Sequence, residues 1–218
     1  MTGVASLDTF LKSGQLGPLS VGMTLPEVER LLGEPEDEKI FREDGGDRRY
    51  WVYGRLEIFF DVAPAHRISW FQIDHFSELT QVGCRFGRRL KLAMDGYAAN
   101  TPPSTFIRRS GNRAAQSEIQ LHRSTSDWEA RLYFGDLIEM HFATSHPSIA
   151  PASRRDEIRR PGQLALHAID NHSIIDSIYA YPAESGRTQR LHMREMYPSD
   201  PCEWMDGNLY LDRLDAGM

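Results

Sequence analysis

Cysteine is scarce in this chain of 218 residues. Its two cysteines, Cys84 and Cys202, lie far apart, which excludes a disulfide framework and a zinc ribbon and is typical of a reducing compartment. Long apolar stretches are also missing, because no run of roughly 18 apolar residues occurs, and we therefore expect no membrane partner. The sequence begins Met1-Thr2-Gly3 without the basic and apolar regions of a signal peptide, so we predict a cytoplasmic protein.

A surplus of basic residues is missing too. Lysine and arginine number 25 against 31 aspartate and glutamate residues, and the formal net charge is −6. Nucleic acids attract surfaces rich in positive charge, so we do not expect one as the main partner. The chain also lacks a glycine-rich phosphate loop, a nucleophile elbow and a His-Glu-x-x-His helix. We therefore predict a protein that is not an enzyme and that binds no cofactor and no metal ion.

Two short amphipathic helices are predicted near the N-terminus. The first lies within Ser6–Leu16, where apolar residues recur at helical spacing. The second follows Thr24, because Thr24 and Glu27 have the spacing of a capping box and Gly33 can end the helix. Beyond this helix, Glu34–Asp47 is an acidic segment that we interpret as a loop.

Alternation of apolar and polar residues then predicts an antiparallel meander of three strands. The strands are expected at Tyr50–Tyr53, Leu56–Asp61 and Arg67–Ile73, with a tight turn at Gly54. Together with the helices, this meander predicts an α+β fold in which short helices pack on antiparallel β-sheet.

The pair Pro102 and Pro103 is the predicted boundary between two units, because it interrupts regular structure. The first unit, residues 1–100, contains the helices and the meander, and the second, residues 101–218, is a β-rich α+β unit. Strands are predicted in the second unit at Glu118–His122, Glu129–Phe134, Leu137–Phe142, Leu164–Ile169, Ile174–Tyr181, Gln189–Met193 and Asn208–Leu214, and a short helix at Arg154–Arg160.

The turn of the first hairpin has a counterpart in the second unit, since Tyr53–Gly54 matches Phe134–Gly135. Two explanations are open. The second unit is a degenerate tandem copy of the first, or two unrelated amphipathic hairpins share a glycine turn. A tandem copy needs a helix before its hairpin, and Lys91–Tyr97 is the candidate for that helix.

Residues 19–36 resemble a known repeat unit. The motif consists of Gly22–Met23–Thr24, Glu27–Val28, Leu31–Leu32–Gly33 and Pro35. It is similar to the repeat of the β-lactamase inhibitory protein and of outer-membrane assembly lipoproteins of the SmpA/OmlA type. The resemblance extends over about residues 1–75 and, more weakly, to the second hairpin. It implies a capped helix packed on an antiparallel sheet and a protein that binds other proteins without catalysing a reaction.

The expected function follows from this resemblance and its differences. The chain lacks the signal peptide, the lipidation cysteine and the cysteine pairs of those families, so we expect an intracellular relative. A cytoplasmic bacterial immunity protein, which inhibits a cognate and basic toxin domain, fits this expectation. Acidic residues raise association rates with basic partners, and large aromatic residues dominate interface energies. The predicted partner-binding residues are Glu36, Asp37, Glu38, Glu43, Asp44, Tyr50, Trp51, Tyr53 and Trp70.

Two alternatives to an inhibitor stay open. The first is an enzyme of another type, in which a cluster of titratable side chains converges on a pocket and transfers protons. The second is a structural or assembly subunit that associates with itself through exposed sheet edges. The residues of the titratable cluster are His167, Asp170, His172 and Asp176.

Neutralising the acidic segment tests its electrostatic role. The variant combines Glu36→Gln, Asp37→Asn, Glu38→Gln, Glu43→Gln and Asp44→Asn. Its stability should change little, because exposed carboxylates contribute about 0 to 1 kcal/mol each. Its association rate with a basic partner should fall, and the difference from wild type should shrink toward roughly 0.5 M salt, where the Debye length is about 4 Å. Stopped-flow association measures the rate, and a rate insensitive to both the substitutions and the salt would show that the segment is merely solvated.

Overall fold

The computed structural model describes residues 3–43, 46–82, 85–111, 116–123, 128–144, 163–183 and 202–216. Within these ranges, short helices accompany antiparallel β-sheet, so the predicted α+β class is confirmed. No helix in this part of the chain has both the length and the apolar character that a membrane crossing requires. In chain order the elements are β1 (Gly3–Ser6), α1 (Leu7–Ser13), α2 (Leu25–Leu32), β2 (Asp37–Glu43), β3 (Gly46–Tyr53), β4 (Leu56–Phe60), β5 (Ile68–Ile73), α3 (Phe76–Val82), β6 (Arg85–Phe86), β7 (Leu90–Ala93), α4 (Pro103–Arg109), β8 (Ser117–Arg123), β9 (Trp128–Phe134), β10 (Ile138–Thr144), α5 (Gln163–His172), β11 (Ser173–Ala180), β12 (Cys202–Asp206) and α6 (Gly207–Asp215).

The chain divides into two compact units. Among the described residues, unit 1 holds those within 1–98, 136–138 and 177–186, and unit 2 holds the others. The two short segments from the second half join unit 1 because the end of β11 pairs with β5, as in the pair Ile178 and Ile73. Strand β11 therefore supplies residues to both units.

The sheet of unit 1 has the strand order β11–β5–β4–β3–β2, and its neighbouring strands are antiparallel. One face of this sheet carries the core, where Leu56, Ile58 and Phe60 are buried as the alternation predicts. Helix α1 packs on the same face, with the Phe10 ring stacked 5.7 Å from the ring of Phe71. A separate small sheet contains β1, β7 and β6, with β1 parallel to β7.

Helix α2 has the predicted N-terminal cap. Oε2 of Glu27 accepts hydrogen bonds from the backbone N–H and the hydroxyl of Thr24, both at 2.7 Å. The backbone hydrogen bond and then the hydroxyl hydrogen bond of Thr24 lower the pKa of Glu27, and the charges of Arg30 and Arg67 lower it further. At the other end, the hydroxyl of Tyr53 donates to the carbonyl oxygen of Gly33 at 2.8 Å, which ties the end of α2 to strand β3.

The helices of unit 2 are joined by one buried carboxylate. Asp170 on α5 accepts hydrogen bonds from Ser104 on α4, at 2.8 Å from the N–H and 2.6 Å from the hydroxyl. It also accepts a hydrogen bond of 3.1 Å from the hydroxyl of Tyr210 on α6. Burial, and then the charge of Asp170, raise the pKa of Tyr210 well above its usual value. Asp170 thus provides hydrogen bonds that two other helices need.

The sheet of unit 2 has the strand order β12–β8–β9–β10–β11. The strands predicted at Glu118–His122, Glu129–Phe134 and Leu137–Phe142 are confirmed as β8, β9 and β10. The turn glycines Gly54 and Gly135 of the two similar hairpins both have positive φ, at 63° and 57°. This shared geometry is compatible with both explanations of the similarity.

Several predicted elements are wrong. Lys91–Tyr97 begins in strand β7 and contains no helix, so the helix expected of a tandem copy is missing from that position. Leu164–Ile169 lies in helix α5, and Asn208–Leu214 lies in helix α6. A short apolar run fits either a helix or a strand. For α6 the helix is favoured because the side chain of Asp206 accepts a hydrogen bond from the N–H of Leu209 at 3.0 Å and so caps the N-terminus of the helix. The elements predicted at Arg154–Arg160 and Gln189–Met193 fall outside the described residues, as does Cys84.

The acidic segment Glu34–Asp47 is not a loop as predicted. Its central part is strand β2, which pairs with β3 from Asp37 opposite Val52 to Glu43 opposite Gly46. Apolar residues in the segment, Ile40 and Phe41 among them, gave it strand-forming character that its charge obscured.

Gly87 is expected to be essential for the stability of unit 1. It has φ of +56°, and an added Cβ would lie 2.9 Å from the carbonyl oxygen of Leu32 and 3.1 Å from Cδ1 of Tyr53. Gly135 has nearly the same φ, +57°, with no atom within 4 Å of such a Cβ. Both Gly→Ala variants should lose about 1–2 kcal/mol from the left-handed conformation, and Gly87→Ala should lose at least about 1 kcal/mol more. Urea unfolding measures both, and equal losses would show that the contact relaxes freely.

Candidate functional site

A row of aromatic side chains crosses one face of the unit 1 sheet. The strand register places Tyr50 opposite Phe59 and Phe59 opposite Trp70, so these rings share the face that points away from the core residues of the same strands. Further rings continue the row at both ends. The members of this aromatic row are Phe41, Tyr50, Phe59, Trp70, Tyr179 and Tyr181.

The rings of the aromatic row are in contact from strand to strand. The ring of Phe59 stacks on Trp70 with 3.6 Å between centroids, and Tyr50 lies 4.5 Å from Phe59. On one side, Trp70 is 6.0 Å from Tyr179 and 6.2 Å from Tyr181. Such offset and edge-to-face contacts stabilise the ring positions beyond simple burial. The row is therefore an ordered surface before anything binds to it.

The exposure of the aromatic row differs along its length. Phe41 is 48% exposed on β2, whereas Phe59, Trp70, Tyr179 and Tyr181 are half-buried. Tyr50 is the most buried member, at 8% exposed, and its hydroxyl hydrogen-bonds a carboxylate. The face thus presents a contiguous apolar surface with phenol hydroxyls among its rings, the composition that interface centres favour.

Polar groups border the aromatic row. The hydroxyl of Tyr50 hydrogen-bonds Glu57, which also accepts a hydrogen bond from the side-chain amide of Gln72. Burial, followed by this hydrogen bond and the charge of Glu57, raises the pKa of Tyr50. Nζ of Lys39 lies 5.4 Å from the centre of the Tyr50 ring, within the range of a cation–π interaction. Tyr50 therefore remains a neutral donor at physiological pH.

Two of the predicted aromatic anchors belong to the core. Trp51 is 4% exposed and packs edge-on against Phe60 at 5.1 Å, and Tyr53 is 0% exposed. Burial also raises the pKa of Tyr53. Tyr50 and Trp51 are neighbours in a strand, so their side chains must point to opposite faces. Of the four predicted aromatic residues, Tyr50 and Trp70 therefore belong to the candidate site, and Trp51 and Tyr53 belong to the core.

Sequence analysis missed four members of the row, of which Phe41 lies beside Tyr50 at one end. Phe59 joins Tyr50 to Trp70, and Tyr179 and Tyr181 extend the surface from the region of β11. The spacing of Tyr179 and Tyr181 by two residues was a usable sign that both face one side of a strand. Their proximity to Trp70 required knowledge of which strands pair.

The predicted acidic residues have different surroundings. Oε2 of Glu36 accepts the N–H of Gly54 at 3.0 Å, so this side chain supports a turn. Asp37 is exposed on β2, while the side chains of Glu43 and Asp44 fall outside what the structure describes. The five predicted acidic residues therefore do not form one uniform surface within the described part of the chain.

Glu38 is held by two neighbours on β3. Its Oε1 accepts hydrogen bonds from Nη1 of Arg49 at 2.7 Å and from Nε1 of Trp51 at 3.0 Å. The hydrogen bond from Trp51 is the largest cause of the lowered pKa of Glu38, and the hydrogen bond and charge of Arg49 lower this pKa further. Arg48 and Arg49 on β3 face β2 across the strand pair, so the negative charge of the segment is partly balanced. Electrostatic attraction of a basic partner is weaker than the run of carboxylates alone indicates.

The titratable cluster of the alternative enzyme is divided between two elements. His167, Asp170 and His172 lie on helix α5, and Asp176 lies on strand β11. Asp170 is occupied by its bonds to α4 and α6, which gives it a structural role. Within the described ranges, no group of three or more His, Cys, Asp or Glu side chains is placed to hold a metal ion.

Another titratable group lies on the sheet of unit 2. Asp176 and His141 border one shallow depression, and Nε2 of His141 is 2.6 Å from Oε1 of Glu139. The same carboxylate is 3.4 Å from the hydroxyl of Tyr133 and 3.9 Å from Nη1 of Arg131. Glu139 thus connects His141 on its own strand β10 with Tyr133 and Arg131 on the neighbouring strand β9, whereas Nε of Arg131 is buried without a hydrogen-bond partner among the described residues.

Comparison with known proteins gives no match: no protein family, no curated protein and no solved structure is similar to this chain. The candidate site is therefore defined by geometry alone. Its distinguishing property is the ordered, partly exposed aromatic row.

The pH dependence of stability should report the contacts of Glu38. A carboxyl group whose pKa is lower in the folded than in the unfolded protein stabilises the fold at pH values above its unfolded pKa of 4.5. This stabilisation is lost as the pH falls through the lower pKa of the folded state. Glu38→Gln should therefore be less stable than wild type at pH 7, in contrast to the small change expected from the sequence for neutralising this carboxylate, and the two should converge in acid. Urea unfolding at several pH values measures this difference. Asp37→Asn, at an exposed position, is the control and should stay within about 0.5 kcal/mol of wild type at pH 7. A Glu38→Gln difference that stays constant with pH would contradict the assignment.

Proposed function

We propose that this chain is a protein-binding module without enzymatic activity, and that it serves as a cytoplasmic immunity protein of a bacterium, inhibiting a cognate toxin domain. The observation that carries this proposal is the aromatic row on the sheet of unit 1. Its partly exposed rings, held in place by one another, offer a surface for a protein partner rather than a pocket for a small substrate.

Energetic arguments favour a protein as the ligand of this face. Tyrosine and tryptophan provide large contact areas with few rotatable bonds, so little conformational entropy is lost on binding. The Tyr50 hydroxyl and its neighbour Glu57 add polar groups that can orient a partner. Trp70 is the central ring, because it contacts Phe59 on one side and Tyr179 on the other. We expect Trp70 to contribute most to affinity.

The motif at residues 19–36 supports the same proposal independently. It resembles repeat units of proteins that act by binding other proteins. Here it forms a capped helix, and the residues before this helix are joined to the start of β5. The N–H of Gly22 donates to the carbonyl of Ile68 at 2.9 Å, and the N–H of Ile68 donates to that of Met23 at 2.8 Å. We propose that this helix braces the sheet whose other face binds the partner.

The charge of the partner is a further part of the proposal. Glu36, Asp37 and Glu38 remain near the edge of the binding sheet, so a basic toxin domain suits it. Because Arg48 and Arg49 balance part of this charge, the aromatic row supplies affinity and the carboxylates mainly affect the association rate.

Loss of Trp70 should reduce inhibition. If a neighbouring gene encodes a toxin domain, co-expression with wild type should restore growth, and the purified pair should form a stoichiometric complex. Trp70→Ala should weaken this complex at least about 30-fold, the effect of a central interface residue. Trp204→Ala is the matched control, because Trp204 is a half-buried tryptophan stacked on Tyr133 in unit 2. Calorimetry measures the affinities after circular dichroism has shown that both variants fold. Equal affinities of Trp70→Ala and wild type would rule out the aromatic row as the binding surface.

A further inference from the structure

Strand β2 leaves an open sheet edge with apolar side chains on it. In the described part of the chain, no strand pairs with the outer side of β2. Ile40 and Phe41 on this strand are 49% and 48% exposed. An edge of this kind presents backbone N–H and C=O groups that can pair with another strand. The side chains along β2 decide which strand fits.

The sequence of β2 is complementary to itself in the antiparallel direction. If a two-fold axis passes through Ile40, residues equally distant from Ile40 face each other in the two copies. Glu38 then faces Arg42 of the second copy, and symmetry makes this pair occur twice. Ile40 faces its own counterpart, and Lys39 faces Phe41. Opposite charges, apolar contact and a cation beside a ring are all favourable cross-strand pairs.

Other two-fold positions are less favourable. An axis at Lys39 would place two lysines against each other. An axis at Phe41 would pair Phe41 with itself and Lys39 with Glu43, but it would place Ile40 against Arg42 on both sides of the axis and lose both Glu38–Arg42 pairs. With the axis at Ile40, the one like-charged pair is Asp37 with Glu43, at the two ends of the strand. The interior of the strand thus selects this register.

We propose that two copies of this chain associate through antiparallel pairing of their β2 strands about a two-fold axis at Ile40. Pairing in this register covers Ile40 and the backbone edge. Phe41 lies edge-on to Tyr50 at 6.4 Å and is the end of the aromatic row on β2. The pairing places Phe41 beside the second copy, so the aromatic rows of the two copies meet. The proposal needs no toxin and does not rest on the proposed inhibitory function.

Substitutions at the axis give a specific test, since residue 40 faces itself. Ile40→Lys places two like charges together, and so does Ile40→Glu, whereas an equal mixture of the variants places lysine against glutamate. Ile40 is exposed, so both variants should fold, as circular dichroism will check. Sedimentation velocity over about 10 to 200 µM suits the weak association expected of a small interface. We expect dimers of wild type, association at least about tenfold weaker for each single variant, and recovery in the mixture.

The possible results separate this proposal from its rivals. A wild-type protein that stays monomeric, or a mixture that associates no better than the single variants, would overturn it. Retention of dimers by Ile40→Glu and their loss in Ile40→Lys would place the axis at Phe41 instead, because residue 40 would then face Arg42. Asp37→Asn should strengthen self-association by removing the pair of like charges at the strand ends, although it should slow association with a basic toxin. The two proposals therefore fail independently.

Discussion

The alternation of side chains along strand β3 is the constraint on which unit 1 depends. Because successive residues of a strand point to opposite faces, Trp51 and Tyr53 build the core while Tyr50 belongs to the aromatic row. A slip of one residue would exchange these faces and place a charged side chain in the core. The contacts of Trp51 with Glu38 on β2, and of Tyr53 with Gly33 at the end of α2, help to hold this register. The binding surface and the core are thus specified together.

The same constraint explains which features could be predicted from the sequence. The ends of helix α2 are marked locally by Thr24, Glu27 and Gly33, so its position followed from a few adjacent residues. The meander followed from the alternation of apolar and polar residues on both sides of the turn at Gly54. Only Tyr50 and Trp70 of the aromatic row were predicted. The pairing of β11 with β5, which brings Tyr179 toward Trp70, joins residues about a hundred positions apart. No local pattern carries that information.

The errors have a common physical origin in the context of each segment. The acidic segment looked like a loop by charge, but β3 supplies Arg49 and Trp51 as partners for Glu38, and the strand pairing satisfies its backbone. Leu164–Ile169 in helix α5 looked like a strand because a short apolar run fits either structure, whereas Asp170 on that helix accepts hydrogen bonds from Ser104 and Tyr210. In both cases a partner distant in sequence determined the local structure.

The shared strand β11 has a consequence for how the chain is made. Strand β5 pairs with β4 on one side and acquires its second neighbour only from residues 178–180, so a ribosome that has released the first hundred residues has not yet delivered the last strand of the unit 1 sheet. Until then, β5 is an open edge able to pair with the wrong strand, a known hazard of incomplete sheets during synthesis. Folding of the N-terminal unit is therefore completed late in translation, and a fragment that ends near residue 100 would retain this unprotected edge.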